Sequence, residues 1–104
     1  MHSNDAQMLV LTVLAEGPRH GYAINTAIED LTGYKLGPGS LYGALARLEA
    51  RGLIQAVDDV RAGRDDRPRT VEITAVGREV LRAELEQMAR VSRAGLRALG
   101  ITPA

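Results

Sequence analysis

The side chains able to do chemistry in this chain are few, and their types limit what that chemistry can be. Of 104 residues none is cysteine, and the two histidines are His2 and His20. No thiol nucleophile or thiolate metal site can be built, and His2 lies in a terminus expected to fray. The sequence carries no recognisable metal-ligand constellation. Asp58, Asp59, Asp65 and Asp66 cluster in a polar stretch, where a water-excluding catalytic pocket is hard to build. Gly37-x-Gly39 with Gly43 faintly resembles a nucleotide loop, but the spacing departs from the dinucleotide fingerprint and no strand precedes it. No enzyme activity, cofactor or metal is therefore expected. What remains is recognition by hydroxyls and guanidiniums. Arg47 stands out, because its bidentate fork matches the edge of guanine. It could equally pair with Glu49 or Asp30, or sit on a phosphate.

Arg47 belongs to residues 37–54, the stretch that organises the chain. Pro38 and Gly39 break the preceding structure, and Ser40 is the predicted N-cap of a helix. Gly52 is the predicted C-cap, with Arg51 at the negative end of the helix dipole. Leu41, Leu45 and Leu48 form one narrow apolar stripe. At about 100° per residue, Ser40, Gly43, Arg47 and Ala50 fall on the other side, with Tyr42 at the edge. The leucines can hold such a helix in a small domain while its small, polar face presses close to something else. A DNA major groove admits a single helix and is read by short polar side chains and arginine.

Length predicts one domain with a modest core. Thirteen basic residues balance thirteen acidic ones. That zero net charge argues against binding nucleic acid through bulk charge and leaves room for a local basic patch. The lack of cysteine fits a reducing cytosol. Asp5 precedes the apolar run 8–15, unlike the order in a signal peptide. No apolar stretch approaches the ~20 residues of a membrane span. A cytoplasmic protein without a membrane partner is expected. Without Trp or Phe, the core must come from Leu, Val, Ile and Ala, and a large aromatic ligand cage is disfavoured.

The elements that must position Arg47 follow from the rest of the chain. A first helix, capped by Asn4 or Asp5, is predicted to run to about residue 16. Met8, Leu9, Val10, Leu11, Val13 and Leu14 cover most of its circumference, which points to burial on more than one side. A partner subunit would account for that, as would a central core helix in a monomer. Gly17-Pro18 ends it. A second helix is predicted from about Arg19-His20-Gly21-Tyr22 to Leu31, with Ile24, Ala27, Ile28 and Leu31 inward. Two helices joined by a short Gly-containing turn describe a helix-turn-helix. Residues 53–60 read as a strand, 61–68 as a polar turn, and 69–74 alternate as a half-buried strand. Arg61, Arg64, Arg67 and Arg69 mark the hairpin tip, with the four nearby aspartates as competing partners. The fold class is mainly α with a small β-hairpin: a winged helix-turn-helix.

Thr74 is predicted to cap a long last helix, 75–99. Leu81, Leu85, Met88, Ser92, Gly95 and Leu99 follow a 4-3-4-3-4 spacing, the pattern of a coiled-coil seam. A stripe outside a compact core must be buried somewhere; a two-fold homodimer is the commonest solution, and a helix folded back onto its own domain is the alternative. Met8, Leu11, Leu81, Leu85, Met88, Ser92, Gly95 and Leu99 are the candidate dimer interface. Residues 1–74 are read as a DNA-binding domain and 75–104 as a dimerisation helix and tail, within one compact domain.

Taken in order, residues 14–22 (Leu-Ala-Glu-Gly-Pro-Arg-His-Gly-Tyr), Pro38-Gly39-Ser40-Leu41-Tyr42, Arg47-Leu48-Glu49, Gly52-Leu53-Ile54 and Ile73-Thr74-x-x-Gly77 resemble the PadR family of bacterial transcriptional regulators. The resemblance implies a winged-helix DNA-binding domain, a C-terminal helix packed across a two-fold dimer, and repression at a palindromic operator, often relieved by a small molecule. It implies that His20, Gly21 and Tyr22 face the DNA backbone and that Ser40, Tyr42 and Gly43 sit at the groove with Arg47 further along. Basic wing residues, Arg64, Arg67 and Arg69 among them, would reach the flanking backbone. The family's second wing strand is often aromatic, whereas this one reads Arg69-Thr70-Val71-Glu72-Ile73. With no Trp to sandwich a flat ligand, no effector identity carries over. A protein-interaction module on the same fold, without sequence-specific DNA binding, is the alternative that the neutral charge and the wing acids favour.

Overall fold

Among the described residues four helices and three short strands follow one another as α1 (Ser3–Leu14), β1 (Arg19–His20), α2 (Gly21–Thr32), α3 (Pro38–Ala50), β2 (Ile54–Ala56), β3 (Thr70–Ile73) and α4 (Ala75–Ala98). The computed structural model describes residues 3–57 and 69–101. At the centre lies α1, packed by α2, α3, α4 and β3 of its own chain. Its nearly all-round apolar surface is consumed there. Val10, Leu11, Val13 and Leu14 join Ile24, Ile28, Leu41, Leu48, Leu53, Val71 and Leu81 in one core. Leu11 is only 2% exposed, so the residue expected at a dimer contact is a core residue of the protomer. Met8 is half-buried against the same cluster.

Helix boundaries shift where backbone chemistry overrides side-chain signals. Gly37, extended, is the N-cap of α3 and Pro38 occupies its first turn. Proline is suited there, because its missing N–H would be unbonded in any case. Ser40 is thereby displaced from the predicted cap into the helix and is exposed. At the other end Arg51 is the C-cap, and its Nη1 donates to Oε1 of the buried Gln7 at 2.6 Å. The second helix starts at Gly21 rather than Arg19, and Leu31, expected inward, is exposed.

Arg19 and His20 instead form an edge strand. The sheet has order β1-β3-β2, all antiparallel, with Arg19 opposite Val71 and Ile54 opposite Ile73. Val71 and Ile73 point into the core. The strand predicted over 53–60 is shorter, and residues 58–68, with Arg61, Arg64 and Arg67, lie outside the described residues.

Thr74 fastens β3 to α4. Its Oγ1 accepts from the Gly77 N–H at 3.0 Å and donates to the Gly52 carbonyl at 2.8 Å. Gly77 is buried because the Leu53 carbonyl occupies the space a Cβ would need. The start of α4 packs on the core through Val80 and Leu81. Beyond Leu81 every α4 residue is exposed except the half-buried Ala89 and Leu96. A helix of 24 residues is about 36 Å long, and the molecule measures 55 × 27 × 23 Å. Among the described residues no helix is long and apolar enough to cross a membrane.

Candidate nucleic-acid interface

The site begins at the N-terminus of α2. His20 caps the helix, with Nδ1 accepting from the Ala23 N–H at 3.3 Å. This satisfies one of the free N–H groups at the helix start. The His20 ring stacks beside that of Tyr22, with centroids 6.4 Å apart and planes at 17°. Tyr22 is 70% exposed. Lys35 Nζ lies 5.6 Å from the Tyr22 ring centroid, within cation–π range.

Lys35 is held there by the turn between the two helices. Asn25 clamps the next residue through both of its amide atoms. Nδ2 donates to the Leu36 carbonyl and Oδ1 accepts from the Leu36 N–H, each at 2.8 Å. The turn therefore has a fixed conformation, and the spacing of α2 and α3 with it. Neither Asn25 nor Lys35 stood out in sequence. Lys35 is the sole lysine among the thirteen basic residues, which was the available signal; Asn25 offered none, because its partner is backbone.

Tyr42 connects the two helices. Its ring covers Gly21, yet the residue as a whole is 58% exposed. One turn along α3, Arg47 folds back over Gly43, placing Nη1 3.3 Å from where a Cβ would stand. Among the described residues Arg47 forms no ion pair, so neither Glu49 nor Asp30 holds it. Glu49 is engaged by Arg69, at 3.5 Å, which ties β3 to the end of α3. Four local groupings thus lie along α2 and α3: His20 with Tyr22 and Lys35, Gly21 with Tyr42, Gly43 with Arg47, and Glu49 with Arg69. Arg64 and Arg67 fall outside the described residues. Together these residues offer hydroxyls, an ammonium and a guanidinium without an ion-pair partner among the described residues to an anionic or hydrogen-bonding surface, with no nucleophile–base pair among them.

The candidate dimer residues divide into two groups, with Met8, half-buried, between them. Leu11 and Leu81 are buried in the protomer, whereas Leu85, Met88, Ser92, Gly95 and Leu99 are exposed along the projecting part of α4. Val91 adds a large exposed residue that the seam spacing did not include.

A helix-turn-helix completed by a β-hairpin, with a second helix presenting small, polar and basic side chains, defines a winged-helix DNA-binding regulator. Residues 10–83 match the PadR-like transcriptional regulator family, and the chain belongs to it. A 37.1 kDa protein in transposon TN4556 of Streptomyces fradiae is 55% identical over 92 residues, 88% of this chain. The chain spans 25% of that protein's length. A transcriptional regulator from Clostridium thermocellum superposes with a TM-score of 0.75 at 26% identity, over 88% of this chain and 87% of the other. A PadR family regulator from Clostridium difficile R20291 superposes with a TM-score of 0.78 over 90% of this chain and 97% of the other; at 20% identity this likeness concerns the fold. The family is one of transcriptional regulators.

Proposed function

We propose that the chain acts as a homodimeric repressor that sets two α3 helices into a palindromic operator. The observation that carries this reading is the unpartnered stripe on α4. Leu85, Met88, Val91 and Leu99 stand exposed on a helix that has left its own core. Seam spacing of this kind is buried by a second helix, and a two-fold axis is the commonest way to provide one. Ser92 and Gly95 allow close approach within that seam. Residues 1–74 then serve as the reading head and 75–104 as the pairing arm.

Each head would place Ser40, Tyr42, Gly43 and Arg47 at the groove, with half-sites roughly 34–36 Å apart. His20, Gly21, Tyr22 and Lys35 would meet phosphates near the α2 start, and Arg64, Arg67 and Arg69 the flanking backbone. An effector that relieves repression would have an open groove of about 350 Å³ to bind in, between Ala15 and the Leu81, Leu85 and Ala89 face of α4, flanked by Arg78, Arg82 and Glu86. Pairing of α4 would enclose it. The protein would work in the cytoplasm, on bacterial DNA.

The test is a titration against the gene's own upstream promoter and an unrelated duplex of equal length, at two salt concentrations, with the oligomeric state measured alongside. A dimer preferring the promoter, with affinity falling steeply in salt as counterions are released, is the expected result. No binding to either duplex at low salt, together with a stable protein partner, would replace the repressor by a protein-interaction module.

A further inference from the structure

We propose that Gly43 is a positioning residue for base readout, acting by letting the Arg47 guanidinium lie back along α3 toward the DNA-reading end of the helix. The inference rests on the groove role of Arg47 in the preceding reading, and deepens it. Helical side chains lean toward the N-terminus, so position 47 runs over position 43. A Cβ at 43 would meet Arg47 Nη1 at 3.3 Å and, among the described residues, no other atom within 4 Å apart from the helix's own backbone. Packing therefore gives no reason for a glycine here, and the backbone is ordinary helix. Glycine is the poorest helix former after proline, yet it occupies the middle of the helix on which the family's DNA readout depends. Room for the guanidinium is the one local contact that accounts for it.

The consequence concerns reach. In helix-turn-helix proteins the N-terminal residues of the second helix contact base edges. Arg47 lies in the last turn of α3. Folded over Gly43, its fork is carried one turn back along the helix. Bidentate hydrogen bonds to guanine are directional and short. A Cβ at 43 would require the guanidinium to give way by a few tenths of an ångström, and on this proposal the shift moves the fork away from its bidentate position.

The experiment uses a duplex enriched by the wild-type chain from a randomised pool, together with its full set of single-base-pair variants. Binding by wild type, Arg47→Ala, Gly43→Ala and the double variant is measured, with the thermal midpoint of each. Arg47→Ala should flatten preference at one base pair by on the order of 10-fold to 100-fold, the discrimination of a bidentate pair. Gly43→Ala should weaken preference at that same base pair while its thermal midpoint stays equal or rises. In the Arg47→Ala background it should change nothing further. Full preference retained by Gly43→Ala, beside a flattened Arg47→Ala, would overturn the positioning role and leave Arg47 as a reader. An equal loss from Gly43→Ala in both backgrounds would overturn it in favour of direct approach of the glycine backbone to DNA. An Arg47→Ala variant with unchanged preference would remove Arg47 from the readout and this inference with it.

Discussion

The Tyr42 ring lies on Gly21. A Cβ at residue 21 would meet Tyr42 Oη at 3.2 Å and Cε1 at 3.4 Å. One glycine thus seats an aromatic ring from α3 against the first residue of α2, and that seat fixes where the hydroxyl of a largely exposed tyrosine stands. Gly21→Ala is expected to push the ring outward, at a cost on the order of 1 kcal/mol in binding for a contact that must give slightly. Fluorescence anisotropy with a preferred duplex, read beside the thermal midpoint, checks it. Wild-type affinity in that variant would show that the position of Tyr42 is immaterial to DNA.

Lys35 gives a different signature. Held over Tyr22, it offers a point charge rather than a fork, and a phosphate contact carries no sequence information. Lys35→Ala should weaken binding alike on all duplexes and reduce the slope of log K against log salt by about 1 per protomer. Lys35→Arg should keep most of the slope. A loss confined to one duplex sequence would mean that Lys35 reads bases.

Gly77 is a stability prediction with no DNA component. Its missing side chain is the space taken by the Leu53 carbonyl, and the Ile73 Cγ1 would lie 2.8 Å from a Cβ there. Backbone cannot yield as a flexible side chain can. Gly77→Ala should cost about 3 kcal/mol or more, at the upper end for overpacking. Urea denaturation measures it; an unchanged midpoint would require that β2 and α4 separate freely.

These two glycines show what could be read in advance. The order of helices and strands, Thr74 as a cap and the long last helix followed from periodicity and capping chemistry. The Gly21, Tyr42 and Gly77 blocks were visible as motifs, but nothing in the sequence said that Gly21 meets Tyr42 across 21 positions. The strand at Arg19 and His20 was illegible, since two residues have no period and form a strand only because β3 supplies partners. Ser40 misled, because a good capping side chain lost to Pro38, which can start a helix two residues earlier. The nearly all-round apolar α1 admitted two burial partners, and the packing of α2, α3, α4 and β3 around it supplied the intramolecular one.

Asn25 is the hinge between the two helices of the reading head. Asn25→Asp keeps the shape but exchanges the Nδ2 donor for an acceptor facing the Leu36 carbonyl. A half-buried carbonyl losing its donor costs about 1–3 kcal/mol. The variant should unfold at lower denaturant and bind DNA more weakly than stability alone explains, since the α2–α3 turn and Lys35 lose their anchor. Unchanged stability would show that water replaces the amide without cost.

The α4 stripe separates pairing from folding. Met88 is 53% exposed and takes no part in the protomer's core, so Met88→Asp should leave the helix content and the urea midpoint of an isolated protomer unaltered. In a two-fold seam, however, position 88 of each chain would bring a carboxylate into apolar surroundings, where an unpaired charge is strongly disfavoured. Sedimentation should then report a monomer where wild type is a dimer. Operator affinity should fall on the order of 10²-fold to 10⁴-fold, because two linked heads bind with the avidity that separate heads lack. Each monomer would still recognise a half-site, and Arg47→Ala would still flatten preference within it. A Met88→Asp chain that stays dimeric would place the two-fold contact elsewhere on the molecule and leave the exposed leucines of α4 without their proposed partner.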